Sequence, residues 1–269
     1  MLHCRTTMAM IHASSSSSSH TTKTITSSFS QFSSVPTFSS PSSLLTHSPS
    51  RSLIHFSSNT NNRFFVTPKA SSIATFAPEI IDLLAEVNIF TASGDSVTFN
   101  QLWDQSDGIA VVALLRHFGC PCCWELALSL KEAKERFEGV GVKLIAIGIG
   151  EPTKAQIFAQ RLPFPLDSLY ADPELKVYDV LGLYYGIGRT FFNPASARVL
   201  SKERFEALRK ATKNYTIDVT PDNRASVFQQ GGMFVFKGKE LLYAWKDEGT
   251  GDHAPLDDIF TICSKIHVA

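Results

Sequence analysis

Apolar residues in this chain follow two alternating patterns from residue 109 onwards, nearly continuous runs and helical repeats. The runs Ile109 to Leu115 and Val142 to Ile149 are typical of strands that are buried on both faces of a sheet. Between them, apolar side chains recur at helical spacing as far as Glu138, and Pro152 to Arg161 is predicted as the next helix. This order predicts parallel strands joined by helices that cross over the sheet.

The flanking elements complete a mixed α/β fold. The same reasoning predicts a short helix at 78–86, a β-hairpin from strands 87–90 and 96–99, a short strand at 166–170, a helix at 173–181, an antiparallel pair at 231–236 and 241–245, and a last helix from 255 to about 266. Residues 182–226 have a looser pattern that includes a charged helix at 201–213, and they are interpreted as an insertion. The predicted fold is a mixed central sheet flanked by helices, with an N-terminal β-hairpin and an insertion before the last hairpin.

The first 70 residues have a different composition from the rest. They contain twenty serines and no acid, since Glu79 is the first acidic residue. A segment of this kind lacks the apolar area needed to order itself, and Ser-rich, acid-poor leaders are typical of transit peptides. Because its arginines are too scattered for a mitochondrial leader, we predict a disordered plastid transit peptide at 1–70 that is cleaved near Lys69. A linker and short helix at 71–84 and one domain at 85–269 would follow, and the stroma is the expected location.

Charge and motifs narrow the function classes. Residues 79–269 carry all 25 acids but 20 of the 25 bases, a net charge of −5, which argues against nucleic acid as a partner. No apolar run approaches the ~18 residues that span a bilayer. Gly148-Ile-Gly150 and Gly186-Ile-Gly188 lack the third glycine of a dinucleotide fingerprint, so no cofactor is expected.

Three of the five cysteines, Cys120, Cys122 and Cys123, lie between the first buried strand and the helix that follows it. A helix N-terminus favours the reactive thiolate form of cysteine, and Pro121 suits the first helical position. We therefore expect Cys120 to be an exposed, activated nucleophile, with Cys123 on the inward helix face as its resolving thiol.

The neighbouring residues have more open roles. Arg116 or His117 would add positive potential, although only one of them would face the site if the strand continued. Cys122 falls at the margin of the apolar face and is interpreted as a spare thiol. The alternatives are a metal site formed by the three cysteines and His117, or packing alone.

Cysteines and charged residues elsewhere are given structural roles. Cys263 is expected to be a buried core residue of the last helix. His253 and Arg189 are interpreted as solvated loop residues, with substrate binding as the less favoured reading.

Four segments resemble the peroxiredoxin-like AhpC/TSA antioxidant-enzyme family, especially its plant plastid thioredoxin-like AAED branch. They are Arg116-His-Phe-Gly-Cys-Pro-Cys-Cys-Trp-Glu125, Leu166-Asp-Ser-Leu-Tyr-Ala-Asp-Pro173, Tyr178-Asp-Val-Leu-Gly182 and Gly231-Gly-Met-Phe-Val-Phe236. The resemblance covers about residues 85–266. It implies a thioredoxin-like fold and places the family's Cys-x-x-Cys on Cys120 and Cys123.

The chain also departs from related motifs. Peroxiredoxins place their peroxidatic cysteine in Pro-x-x-x-Thr-x-x-Cys, and nothing before Cys120 or Cys123 fits that pattern. Thioredoxins have a cis-proline where this chain has Gly231 or Gly232. Some animal relatives reduce prostaglandin-type endoperoxides, which leaves a lipid peroxide among the possible substrates.

These observations favour a thiol oxidoreductase acting on a peroxide or disulfide. A plastid thiol reductant, of the thioredoxin type or glutathione, would be its partner. The alternatives are a non-catalytic redox sensor and a metal-binding module of the same fold.

Overall fold

The computed structural model describes residues 78–268, and the predicted transit peptide lies outside the described residues. The helices are α1 (Pro78–Ala85), α2 (Pro121–Glu138), α3 (Pro152–Arg161), α4 (Lys176–Val180), α5 (Ile187–Phe191), α6 (Lys202–Ala211) and α7 (Leu256–Val268). The strands are β1 (Asn88–Thr91), β2 (Ser96–Thr98), β3 (Ile109–Leu115), β4 (Val142–Gly148), β5 (Leu169–Ala171), β6 (Gly232–Lys237) and β7 (Glu240–Lys246). They form one sheet in the order β2-β1-β5-β4-β3-β6-β7.

Strand β3 lies near the centre of this sheet. It pairs in parallel with β4 and antiparallel with β6, so that Ala113 is opposite Ala146 on one side and Met233 on the other. Every residue of β3 is buried, as its continuous apolar run predicts. The carboxyl end of β3 leads directly into the cysteine loop, which is therefore attached to the most enclosed strand of the sheet.

Helices cover both faces of the sheet and form two cores. Val111 and Ala113 of β3 pack in the core that contains the inner faces of α2, α3 and α7. Ala110 and Val112 point to the opposite face, where they pack with side chains of α1 and α4. This mixed sheet flanked by helices, with an N-terminal β1–β2 hairpin, is the predicted thioredoxin-like α/β fold.

Two predicted boundaries were wrong. Helix α4 begins at Lys176 rather than Pro173, because the Asp172 carboxylate accepts hydrogen bonds from the backbone N–H groups of Lys176 at 3.1 Å and Val177 at 2.8 Å. The strand predicted at 166–170 is displaced, since residues 166–168 form a 3-10 turn and β5 spans Leu169–Ala171.

The predicted insertion folds back over α2. It contains α5, α6 and short 3-10 helices at 194–200, 217–219 and 224–228. Its charged helix is α6, which Ser201 caps by accepting a hydrogen bond from the N–H of Arg204. No helix in the described part of the chain has the length and apolar character required to cross a membrane.

Candidate active site

Cys120 is the N-cap residue of the 18-residue helix α2, as predicted from the sequence. Its backbone is extended, with φ −86° and ψ 118°, and Pro121 occupies the first turn, where a missing N–H leaves no bond unmade. The carbonyl of Cys120 accepts from the N–H groups of Cys123 at 2.9 Å and Trp124 at 3.2 Å. The Cys120 side chain consequently lies at the positive end of the helix dipole.

The three clustered thiols interact with one another. Hydrogen bonds from the thiols of Cys122 and Cys123 hold the pKa of Cys120 well below its usual value, against the opposing effect of burial, and the charges of Arg116 and His117 act in the same direction. The pKa of Cys122 is raised by its hydrogen bond to Cys120 and by burial. Burial and the same kind of hydrogen bond raise the pKa of Cys123. The arrangement therefore favours one thiolate, on Cys120, with two thiols that donate to it.

Cys123 faces inward and is fully buried. Its sulfur accepts a hydrogen bond from the backbone N–H of Arg116 at 3.2 Å, which ties the first turn of α2 to the end of β3. Cys120, Cys122, Cys123 and Cys263 are all unbridged, so the structure represents the reduced state.

Arg116 is the basic side chain that contacts the Cys120 sulfur. One terminal nitrogen, Nη1, donates to that sulfur at 3.5 Å, while Nε donates to the carbonyl of Gln229 at 3.0 Å and Nη2 to that of Val227 at 2.6 Å. The residues that link the insertion to β6 thus position the guanidinium. His117 is buried as well, burial lowers its pKa, and its Nδ1 has no hydrogen-bond partner among the described residues.

The prediction that Cys120 is exposed was wrong, because only 2% of its surface is accessible. Residues 215–220 of the insertion cover the loop: the Tyr215 hydroxyl donates to the carbonyl of Gly119 at 2.7 Å. Thr220 packs so closely that a Cβ at position 119 would lie 2.1 Å from its hydroxyl oxygen, which explains the glycine there. The apolar periodicity of the sequence gives no signal of this cover, since its contacts join polar groups far apart in the chain.

His253 is also not a solvated loop residue, contrary to the prediction, since its side chain is 10% exposed. Its Nδ1 lies 3.1 Å from the Asp247 carboxylate and its Nε2 lies 3.2 Å from the carbonyl of Cys122. Burial lowers the pKa of His253, but the hydrogen bond and charge of Asp247 outweigh it and the pKa is raised overall. Because both neighbours are hydrogen-bond acceptors, a doubly protonated ring satisfies both contacts.

Two further residues near the cysteines were not singled out from the sequence. Glu125 of α2 accepts two hydrogen bonds from Arg204 of α6, at 3.0 and 2.8 Å. Arg204 also donates to the carbonyl of Gly251 at 2.6 Å. An acid on α2 and a base on a predicted charged helix were visible in the sequence, but their pairing across 79 residues was not.

A cleft of about 560 Å³ adjoins this region. Side chains on its wall include Glu125, Ser129, Arg136, Arg204, His253 and Asp257. The expected loop residue Arg189 lies elsewhere, stacked over the Tyr184 ring with its guanidinium carbon 3.9 Å from the ring centre. Among residues 78–268, no group of three or more His, Cys, Asp or Glu side chains is placed to hold a metal ion.

Comparisons with known proteins place the chain among antioxidant-enzyme relatives. A family model described as "AhpC/TSA antioxidant enzyme" matches residues 129–249. The chain is 33% identical to "Thioredoxin-like protein AAED1, chloroplastic" of Arabidopsis thaliana over 196 residues, which is 72% of this chain and 77% of that protein. It is 27% identical to "Peroxiredoxin-like 2C" of Mus musculus, over 73% of this chain and 86% of the relative.

More distant matches include an enzyme and a solved structure. The chain is 28% identical to "Prostamide/prostaglandin F synthase" of Bos taurus, over 62% of this chain and 79% of that enzyme. The crystal structure of peroxidoxin BcpB from Mycobacterium tuberculosis superposes with a TM-score of 0.47 at 17% identity, covering 69% of this chain and 96% of that one.

Proposed function

Since the chain belongs to the peroxiredoxin-like AhpC/TSA antioxidant-enzyme family, we propose that it is a plastid thiol oxidoreductase in which Cys120 is the attacking nucleophile. Family membership supports a thiol-dependent redox role. The observation that carries the more specific proposal is the Cys120 sulfur at the start of α2, with its pKa held down by two thiol donors and with Arg116 beside it.

With a peroxide as substrate, the Cys120 thiolate attacks one peroxide oxygen and breaks the O–O bond. The sulfur is oxidised to sulfenic acid and the other oxygen leaves as an alcohol or water after gaining a proton. The Cys123 thiol then attacks that sulfur, which releases water and closes a Cys120–Cys123 disulfide. Arg116, whose guanidinium contacts the Cys120 sulfur at 3.5 Å, would stabilise the oxygen that leaves with negative charge.

With a disulfide as substrate, the same thiolate attacks one sulfur and forms a mixed disulfide. Cys123 then displaces the second product thiol and closes the same Cys120–Cys123 bridge. In either case two electrons from an external thiol reset the enzyme. A thioredoxin-type protein or glutathione in the plastid stroma is the proposed reductant, since the relative from Arabidopsis thaliana is named as chloroplastic.

The cover over Cys120 bears on the substrate. Only 2% of the Cys120 surface is accessible, so a small peroxide can approach the sulfur more easily than a disulfide on a folded protein. A larger substrate requires residues 215–220 to move away from Gly119, which breaks the hydrogen bond from Tyr215.

Peroxide turnover and disulfide mapping test the proposal. The purified chain 71–269, with the predicted transit peptide removed, is mixed with hydrogen peroxide, a lipid peroxide or a model disulfide, and each is supplied with thioredoxin or glutathione. We expect substrate consumption and a Cys120–Cys123 bridge by mass spectrometry. Cys263→Ser should behave as the wild type because Cys263 lies in the core at the last helix. Unchanged turnover in Cys120→Ser would refute the assignment.

The burial of Cys120 also favours a second candidate, a redox sensor that cycles slowly without serving as a catalyst. This candidate predicts a reversible Cys120 disulfide with no sustained consumption of any of these substrates. The turnover measurements above separate the two functions.

A further inference from the structure

Cys122 was interpreted from the sequence as a spare thiol, and its surroundings suggest a further role. It is 6% exposed, whereas Cys123 is fully buried. A methyl group at Gly251 would lie 3.4 Å from the Cys122 sulfur, so this sulfur faces the loop that carries His253. The carbonyl of Cys122 is in turn held by His253 at 3.2 Å. Cys122 therefore lies next to the loop that contributes His253 to the wall of the 560 Å³ cleft.

The spacing permits a bridge from Cys120 to either neighbour. On an ideal helix, Cα atoms two and three residues apart are separated by about 5.4 and about 5.1 Å. Both values fall within the Cα separation that disulfides adopt. In the reduced protein, hydrogen bonding to Cys122 and Cys123 lowers the pKa of Cys120, so both thiols are neighbours of its sulfur. A direct Cys122–Cys123 bridge between adjacent residues would instead require a distorted peptide.

The two candidate partners are held differently. The Cys123 sulfur is buried and accepts a hydrogen bond from the backbone N–H of Arg116 at 3.2 Å. The Cys122 sulfur lies next to Gly251, and Arg204 Nη2 would lie 3.5 Å from a methyl group on Gly251. Since Cys122 is 6% exposed and Cys123 is fully buried, a bridge to Cys122 would be more accessible than a bridge to Cys123.

We propose that Cys122 is a second disulfide partner of Cys120, and that the external reductant reduces the site through the Cys120–Cys122 disulfide. After the Cys120–Cys123 bridge has formed, the Cys122 thiolate attacks the Cys120 sulfur. A Cys120–Cys122 bond forms, the Cys120–Cys123 bond breaks, and Cys123 leaves as a thiolate that takes the proton Cys122 released. The number of disulfides is unchanged, so the exchange needs no oxidant or reductant.

Oxidation itself prepares Cys122 for this step. In the reduced protein, the hydrogen bond to the Cys120 thiolate is the main cause of the raised pKa of Cys122. That thiolate disappears when Cys120 enters a disulfide, so its hydrogen bond and its charge no longer raise the pKa of Cys122; burial and the charge of Glu125 still raise this pKa, and the charge of Arg204 still lowers it. The reductant then attacks Cys122, which is more accessible than the fully buried Cys123, and Cys120 is released as the thiolate that the helix N-terminus stabilises.

This inference rests on the proposed function, and mapping of the bridges separates the two. Trypsin releases residues 117–131 as one peptide that carries all three cysteines. The chain 71–269 is oxidised with one equivalent of hydrogen peroxide and quenched in acid. Free thiols are then blocked with a light alkylating reagent, and the cysteines freed by reduction are labelled with a heavy one. Fragment ions locate each label, so the wild-type protein alone reports on both bridges.

We expect the heavy label on Cys120 in full and divided between Cys122 and Cys123. In Cys123→Ser the bridge should form entirely with Cys122. In Cys122→Ser the Cys120–Cys123 bridge should still form, but its reduction by glutathione should be slower by about threefold or more than in the wild type, because the remaining disulfide is enclosed. Cys263→Ser serves as the matched control, and thermal unfolding verifies that each variant is folded.

Three results would overturn the inference. A heavy label confined to Cys120 and Cys123 in the wild type, together with Cys120 sulfenic acid that persists in Cys123→Ser, leaves the proposed function intact and removes the role of Cys122. Unchanged reduction kinetics in Cys122→Ser does the same. If the wild type carries no heavy label on Cys120, both the inference and the Cys120–Cys123 chemistry fail.

Discussion

Strand β3 and the insertion at 182–226 both enclose Cys120, but different forces hold them in place. Strand β3 is buried on both faces and hydrogen-bonded to β4 and β6 along its length. Near the site, the insertion contributes the hydrogen bond from Tyr215 to Gly119, the packing of the Tyr215 ring on Trp124 with centroids 5.2 Å apart, and the buried side chain of Val219. A net hydrogen bond contributes about 1 kcal/mol, so the contact from Tyr215 to Gly119 can open locally while the sheet remains folded.

The sheet and the insertion therefore have different roles at the site. The sheet and α2 fix the position of the cysteine sulfurs, the insertion covers them, and Val227 and Gln229 after it supply the carbonyls that orient Arg116. On its outer side the insertion exposes aromatic residues, with Phe192 80% accessible. Substitutions in the sheet should therefore change stability most, whereas substitutions in the insertion should change the reactivity of Cys120.

The largest contrast should come from phenylalanine truncations in the two regions. Phe234 of β6 is fully buried, so Phe234→Ala should lower the free energy of unfolding by about 3–5 kcal/mol. Phe192→Ala removes a mostly exposed ring and should change it by less than about 0.5 kcal/mol. Urea titration measures both. Similar losses in the two variants would mean that the insertion is as firmly packed as the sheet.

Arg116→Met breaks the link between the two regions. It leaves the carbonyls of Val227 and Gln229 without this donor, which should cost about 1–3 kcal/mol in unfolding free energy. It also removes a charge that lowers the pKa of Cys120, so that the pH midpoint of iodoacetamide alkylation should rise.

Arg116→Lys is the matched control, because it keeps the charge without the planar group that reaches two carbonyls. It should retain most of the low alkylation midpoint and still lose stability. Equal midpoints in all three proteins would show that Arg116 does not act on the Cys120 charge.

The difference between the sheet and the insertion also explains which features could be predicted from the sequence. Continuous apolar runs and helical periodicity are local signals, and they located β3, β4, α2 and α3 to within a residue or two. The position of Cys120 at the helix N-cap followed from those elements. Its burial did not, because the covering contacts of Tyr215 span 96 residues and involve a hydroxyl and a carbonyl, which leave no periodic pattern. His253 was misplaced for a similar reason, since its partner is the backbone of a residue 131 positions away.

Tyr215→Phe should loosen the cover without disturbing the sheet. Loss of the hydrogen bond to Gly119 should cost about 1 kcal/mol, which corresponds to an increase of about fivefold in the population of the open state. Alkylation of Cys120 at fixed pH should accelerate by the same factor. Tyr243→Phe is the control, because the Tyr243 hydroxyl is buried without a hydrogen-bond partner among the described residues. Acceleration in the control alone would contradict the assignment of 215–220 as the cover.

The smallest expected effect concerns the Asp247–His253 pair, whose histidine contacts the carbonyl of Cys122. The pKa of His253 is raised in the folded protein, so its stabilising contribution is fully present below its unfolded value of about 6.5 and is lost as the pH rises through the folded value. The unfolding free energy of the wild type, relative to a doubly neutral Asp247→Asn/His253→Gln variant, should therefore decline as the pH rises above about 6.5. The double variant is the appropriate reference, because burial raises the pKa of Asp247 and a single substitution would leave that carboxyl to titrate alone.

Chemical denaturation at several pH values measures the difference in unfolding free energy between the wild type and the double variant. Taking this difference also cancels the titration of Cys120 to first order. A difference that does not vary with pH would mean that the ring carries no additional proton, and the contact from Nε2 to Cys122 would then be the sole donation from a neutral histidine.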